Sequence, residues 1–252
     1  VVETADAWRE IMATPAALPA LQPELDTYAN AGRLSLELDA ETTRQLMTDV
    51  PAAFHAGVQD ILLIALGLAV AEFTGSEPAE QIGIDVEGHG RQEELARDVD
   101  LSRTVGWFTT KYPVAVPVGG VSWAQVTALE PLIKAAKEAL RALPDGLTYG
   151  LLRYLNPESG LSGPDPAIGF NYLGRLGAAE LDDDLWRIDS DGVSVTAAAT
   201  AVPTPLGHTV ELNAGTIATD DDTRLHATWT WALSVLGHDQ VSRLSQLWFD
   251  AL

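Results

Sequence analysis

Between Ala56 and Phe73 almost every residue is apolar, most densely over Ile61-Leu62-Leu63-Ile64-Ala65-Leu66 and Leu68-Ala69-Val70-Ala71. A helix of that composition has no polar stripe to offer water, so it needs cover on most of its sides. The apolar run from Ile61 to Ala71 is too short to cross a bilayer, which takes about 20 residues. The chain must therefore build a layered core around this helix. With 252 residues, 46% of them hydrophobic, and 7 Trp, it has the material to do so.

Strand-like alternation supplies the other layer. Leu34, Leu36 and Leu38 alternate with polar residues. In Gln81-Ile82-Gly83-Ile84-Asp85-Val86-Glu87, strand period puts Ile82, Ile84 and Val86 on one face and Asp85 and Glu87 on the other. Further strands are expected within Thr104–Val118, from Ala167 to Tyr172 ending at Gly174, and over Val193–Ala199, Thr209–Ala218 and Arg224–Trp231, with a turn at Asp220-Asp221-Asp222 before the last. Helices are expected from Glu41 to Val50, stopped by Pro51, and from a capping box at Ser122-Trp123-Ala124-Gln125 to about Leu143, kinked or divided at Pro131. The last runs from His238 to Leu252 with Val241, Leu244, Leu247 and Trp248 on one face. The segment from Thr4 to Asn30, interrupted by Pro15, Pro19 and Pro23, reads as draped over a surface. Helices and strands that do not alternate regularly predict a single α/β layered lobe.

Fifteen Lys and Arg against 36 Asp and Glu leave a net charge of −21. So acidic a surface repels phosphate backbones and anionic headgroups, arguing against nucleic-acid and membrane partners. No cysteine is present, which removes disulfides, thiolate metal sites and a cysteine nucleophile, and fits a reducing compartment. The start at Val1-Val2-Glu3-Thr4 has neither an initiator Met nor a basic leader. A piece of a longer, soluble, cytoplasmic protein is the expectation.

The phosphate-binding, dinucleotide, zinc-helix and calcium-loop motifs are missing. The five histidines, His55, His89, His208, His226 and His238, show no ligand spacing and read as polar or capping residues; no metal site is expected. One run concentrates chemistry: Asp85-Val86-Glu87-Gly88-His89-Gly90-Arg91, a carboxylate, an imidazole and a guanidinium at a strand end around a glycine turn. A rigid strand aims such side chains well. Glu87 can serve there as an acid/base group tuned by burial and by Arg91 or His89; the alternative is a tight turn with a structural Glu–Arg pair. In Gly169-Phe170-Asn171-Tyr172-Leu173-Gly174, Asn171 and Tyr172 point to opposite faces unless a bulge intervenes.

Read in order, that run, then Asp100-Leu101-Ser102-Arg103-Thr104-Val105-Gly106-Trp107-Phe108-Thr109, Pro113-Val114 and Phe170-Asn171-Tyr172-Leu173-Gly174, closely resemble the second half of an epimerization domain of a nonribosomal peptide synthetase. Leu63, Ala65, Tyr149 and Gly150 match the same pattern, which covers the chain from about residue 30 to its end. The family's double-histidine motif belongs to its first half; no His-His pair occurs here, and Thr148 stands where that family usually has glycine.

The resemblance implies the C-terminal lobe of a two-lobed, CoA-dependent-acyltransferase-like fold, a mixed sheet packed with helices. Residues 1–30 would be the lead-in from the missing N-terminal lobe and 31–252 the lobe itself. It implies an epimerase acting on an aminoacyl or peptidyl thioester, carried on the phosphopantetheine of a peptidyl carrier protein, with no cofactor bound directly. Proton removal at Cα gives an enolate that can be reprotonated on either face, which calls for two acid/base groups on opposite sides of the carbon and a donor to the oxyanion. Glu87 and Tyr172 are the catalytic candidates, His89, Arg91 and Asn171 the supporting residues, and Trp107 and Phe108 the wall of the tunnel or of the core behind it. The lobe alone is expected to be inactive. A carrier-binding patch could form from Lys134, Lys137 and Arg141, although a solvated helix face beside Glu138 is the simpler reading. The rival functions are a condensation-domain lobe that forms peptide bonds and a non-catalytic platform for carrier proteins.

Overall fold

The computed structural model describes residues 2–75, 80–92, 100–119, 129–176, 203–218 and 222–252. Its helices are α1 (Ala5–Met12), α2 (Ala40–Phe54), α3 (Val58–Thr74), α4 (Leu129–Arg141), α5 (Gly146–Leu155) and α6 (His238–Ala251). Its strands are β1 (Gly32–Glu37), β2 (Gln81–Gly88), β3 (Thr110–Pro117), β4 (Ile168–Leu176), β5 (Val210–Ala218) and β6 (Thr223–Trp231). The strands form one mixed sheet in the order β1-β6-β5-β4-β2-β3. β2–β4 and β4–β5 are parallel and the other pairs antiparallel. The β2–β4 ladder is only two residue pairs wide, Asp85 with Gly169 and Val86 with Phe170.

The apolar segment behaves as its composition demands. Every residue from Ile61 to Val70 is buried, packed against the sheet face carrying Ile82, Ile84, Val86, Val114, Val116, Phe170 and Leu212. Trp248 of α6 donates its indole N–H to the Leu62 carbonyl at 3.1 Å and meets Trp229 edge-on at 6.0 Å. A second, smaller core lies against edge strand β3, where Trp8 of α1 packs on Tyr149 of α5 and on Tyr112. Among the described residues no single helix is long and apolar enough to cross a membrane.

Three details depart from the sequence expectations. Pro51 does not stop α2, which continues to Phe54; a proline one turn from a helix end removes a single backbone bond, and the turn closes at His55 in the left-handed region. Gly174 does not end β4, because the ladder with β5 shifts register between Tyr172 and Arg175 and then resumes. The proposed basic patch is already paired internally. Lys137 is buried and donates to the Phe54 carbonyl at 3.1 Å, Arg141 donates to the His55 carbonyl, and Lys134 pairs with Glu130 at 2.6 Å. The capping box at 122–125, the strand at 193–199 and most of the Asp220–Asp222 turn lie outside the described residues.

Candidate active site

One sheet face is apolar and covered; the other gathers charge. Strand alternation on β2 sends Asp85 and Glu87 to this second face, and the antiparallel register sets Lys111 of β3 opposite Glu87. The parallel registers set Gly169 beside Asp85, and Glu211 beside Gly169. Two residues further along β4, Asn171 donates its amide N–H to the Glu87 carboxylate at 3.0 Å. Glu87 itself reaches solvent at the rim of this face. Partial burial raises its pKa, and repulsion from Glu211 adds to the effect, while His208 and Lys111 act against it.

Behind Glu87 runs a line of alternating charges that crosses the sheet. Tyr28 donates to the Glu211 carboxylate at 3.0 Å. His208 lies between Glu211 (Nδ1 to Oε1, 3.3 Å) and Asp85 (Nε2 to Oδ2, 2.9 Å). Lys111 joins Asp85 at 3.1 Å to Asp165 at 2.8 Å, and Arg153 of α5 closes the line on Asp165 at 2.9 Å. Asp85 is 2% exposed, so its charge depends on these partners. Burial disfavours a proton on His208, yet hydrogen bonds to the two carboxylates more than offset it and push the imidazole up to about 9. Lys111 is likewise raised, Asp85 and Asp165 outweighing its desolvation.

Two glycines make this arrangement possible. A Cβ on Gly169 would lie 2.5 Å from His208 Nδ1, so the imidazole rests in the space that a side chain would fill. Gly90 has φ +62°, and a Cβ there would meet the Phe108 carbonyl oxygen at 1.6 Å, so the turn after Glu87 closes tightly on the following loop.

The expected supporting residues divide. Asn171 meets Glu87 directly. Arg91 does not: its guanidinium donates to the carbonyls of Leu101 and Thr104 and sits 4.5 Å over the Phe108 ring. It pins the loop of residues 100–108, and the turn carries it away from Glu87. The groups that act on Glu87 are therefore Glu211, His208 and Lys111, in place of Arg91 and His89. His89 accepts the Arg91 backbone N–H at 3.0 Å and serves its own turn. Tyr172, expected as a catalytic residue beside Glu87, lies on the opposite face from Asn171 and is not brought together with Glu87; it packs on the apolar core and its hydroxyl approaches Met47 Sδ of α2 at 3.9 Å. Trp107 is 92% exposed and forms no part of the core. Sequence reasoning missed His208, Glu211 and Lys111, since only the sheet register unites them. Among the described residues no group of three or more His, Asp or Glu is arranged to hold a metal ion.

A mixed sheet with α3 packed on its apolar face and a buried line of charged groups on the other defines the class. The chain belongs to the condensation-domain family, whose Condensation domain profile matches residues 1–201. Within it the chain is similar to chondramide synthase cmdD of Chondromyces crocatus, 36% identical over 95% of this chain and 6% of that protein. It is also similar to surfactin synthase subunit 2 of Bacillus subtilis (strain 168), 39% identical over 70% of this chain and 5% of the relative. The chain thus spans about one twentieth of these proteins. Among solved structures, the epimerization domain from the third module of tyrocidine synthetase B superposes with a TM-score of 0.75 at 25% identity, covering 99% of this chain and 54% of that one. The X-domain from teicoplanin biosynthesis, at TM-score 0.63 and 17% identity, covers 99% of this chain and 53% of its own and shares the fold.

Proposed function

We propose that this chain is the C-terminal lobe of an epimerization domain and that Glu87 exchanges the Cα proton of an aminoacyl or peptidyl thioester held on a carrier protein's phosphopantetheine arm. In the forward step a base takes the Cα proton and the C–H electron pair moves onto the thioester carbonyl, giving an enolate. An acid on the opposite face returns a proton to Cα, and the electron pair flows back. No oxidant or reductant enters. The observation that carries this reading is the Glu87 carboxylate. It stands exposed at a strand end at the rim of the charged face, is held by Asn171 through one N–H, and has a raised pKa that brings its neutral and charged forms closer in energy at working pH. The facing acid/base group or the oxyanion donor would come from a histidine-bearing N-terminal lobe, without which this chain does not turn over. The likeness to an epimerization domain supports the same reading.

The test joins the chain to its upstream lobe and supplies an L-aminoacyl carrier protein in heavy water. A D/L mixture with deuterium at Cα, abolished by Glu87→Gln, is the expected result. Retained L configuration without deuterium would reject it. Membership of the condensation-domain family favours a second reading, peptide-bond formation; consumption of an added aminoacyl-carrier acceptor under the same conditions would establish that instead.

A further inference from the structure

We infer that His208 is a positioning residue for Glu87: wedged between Asp85 on Glu87's own strand and Glu211 two strands away, and seated on Gly169, it ties β2, β4 and β5 together beneath the acid and neutralises the carboxylate that faces it. The inference rests on Glu87 being the working acid/base group, but its structural content stands apart from any reaction.

Three features of the geometry carry it. The imidazole uses both nitrogens, one toward Asp85 and one toward Glu211, so it lacks the rotational freedom of a surface histidine. It occupies the space that a side chain at position 169 of β4 would fill. The direct ladder between β2 and β4 is two residue pairs long, so the Asp85–His208 bond adds a cross-link where backbone pairing is shortest. The groups facing His208 from the surrounding elements are Asp85 and Glu87 on β2, Lys111 on β3, Glu211 on β5 and Tyr28 from the N-terminal segment. Of these, only Lys111 adds positive charge, and it is shared with Asp165. His208 is therefore the cation that balances Glu211, and a protonated ring satisfies both carboxylates at once. Losing it leaves Glu211 uncompensated near Glu87, making the Glu87 carboxylate harder to form.

The decisive measurement follows the Glu87 carboxyl carbon by NMR in the 13C-glutamate-labelled chain through a pH titration, the signal assigned by its loss in Glu87→Gln. In His208→Gln the Glu87 midpoint moves to higher pH, and in His208→Gln with Glu211→Gln it moves back. A midpoint that stays where it is in folded His208→Gln overturns the inference. Long-range 15N–1H spectra of the unmutated chain give a second test that needs no variant: both His208 nitrogens carry protons at pH 7, and a neutral ring there overturns the inference equally. Deuterium exchange by the two-lobed protein then separates the levels. If Glu87→Gln leaves exchange intact, the proposed function fails while the titration result still stands or falls on its own.

Discussion

Gly169→Ala tests the charged line with one methyl group. The added Cβ would sit 2.5 Å from His208 Nδ1, 2.8 Å from Cε1 and 3.0 Å from Cγ, whereas ordinary contact begins at 3.4 Å. The ring must retreat by 3.4 − 2.5 = 0.9 Å. It is no free-swinging end, since Asp85 and Glu211 hold its two nitrogens at 2.9 and 3.3 Å. A retreat of that size stretches or breaks the Asp85 bond and leaves a carboxylate that is 2% exposed dependent on Lys111 alone. Overpacking costs about 1–3 kcal/mol and weakening a buried charged hydrogen bond costs a similar amount. Partial relief between the two gives an expected loss of about 2–4 kcal/mol in urea unfolding followed by tryptophan fluorescence. Gly83→Ala is the control: it lies on the same face of β2, and its new Cβ would meet Thr14 at 3.5 Å, so its effect stays within about 0.5 kcal/mol. The cause is separable by a double-mutant cycle. With His208→Ala in place, most of the Gly169→Ala cost should vanish. Additive losses, or a Gly169→Ala effect no larger than the Gly83→Ala effect, would refute the account of how the imidazole is seated.

Stability should also depend on pH through His208. Its pKa is raised from the ordinary 6.5 to about 9 in the folded chain, so between those values the folded state holds more proton than the unfolded one. The stabilisation is complete below pH about 6.5, falls as pH rises toward 9, and is absent from His208→Gln; urea midpoints at pH 6 and pH 9 for the two proteins check it. Glu87→Gln should abolish Cα exchange in the two-lobed protein yet leave the fold as stable or slightly more so, by no more than about 0.5 kcal/mol, because Glu87 is solvent-exposed and its repulsion from Glu211 is relieved. A clear loss of stability would show Glu87 to be a structural member of the turn. Arg91→Ala removes both carbonyl bonds and the Phe108 contact; it should speed proteolysis at Arg103 while leaving the Glu87 titration unmoved, and a moved titration would restore Arg91 to the site.

What the sequence disclosed depended on how local the signal was. The burial of α3 needs no partner's identity, because an all-apolar surface has one stable fate in water. The alternation in β2 placed Asp85 and Glu87 on one face for the same reason, strand period being a property of two neighbours. Pro51 misled because a proline's cost depends on how near the helix end lies, which residues 52–54 do not advertise. Arg91 misled in a different way. Only Gly88, His89 and Gly90 separate it from Glu87, and that turn spends the short distance pointing the two side chains apart. His208 stayed hidden because its partner Asp85 lies 123 residues earlier, and the proximity exists only once β5, β4 and β2 lie side by side. Gly169 was the available clue. A glycine in the middle of an apolar strand marks close approach by something else, although nothing in the sequence says by what.

The narrow ladder between β2 and β4 has a consequence for how the molecule comes apart. The sheet is two panels, one of β1, β6, β5 and β4, the other of β2 and β3, each ladder within a panel far longer than the seam between them. Across that seam run two backbone pairings and a bolt made of ionisable groups, Asp85 and His208. Raising the pH above 9 withdraws the bolt without touching either panel. Amide hydrogens of Asp85, Val86, Gly169 and Phe170 should then exchange ahead of those deeper in the panels, so that the sheet parts along a line drawn by titration.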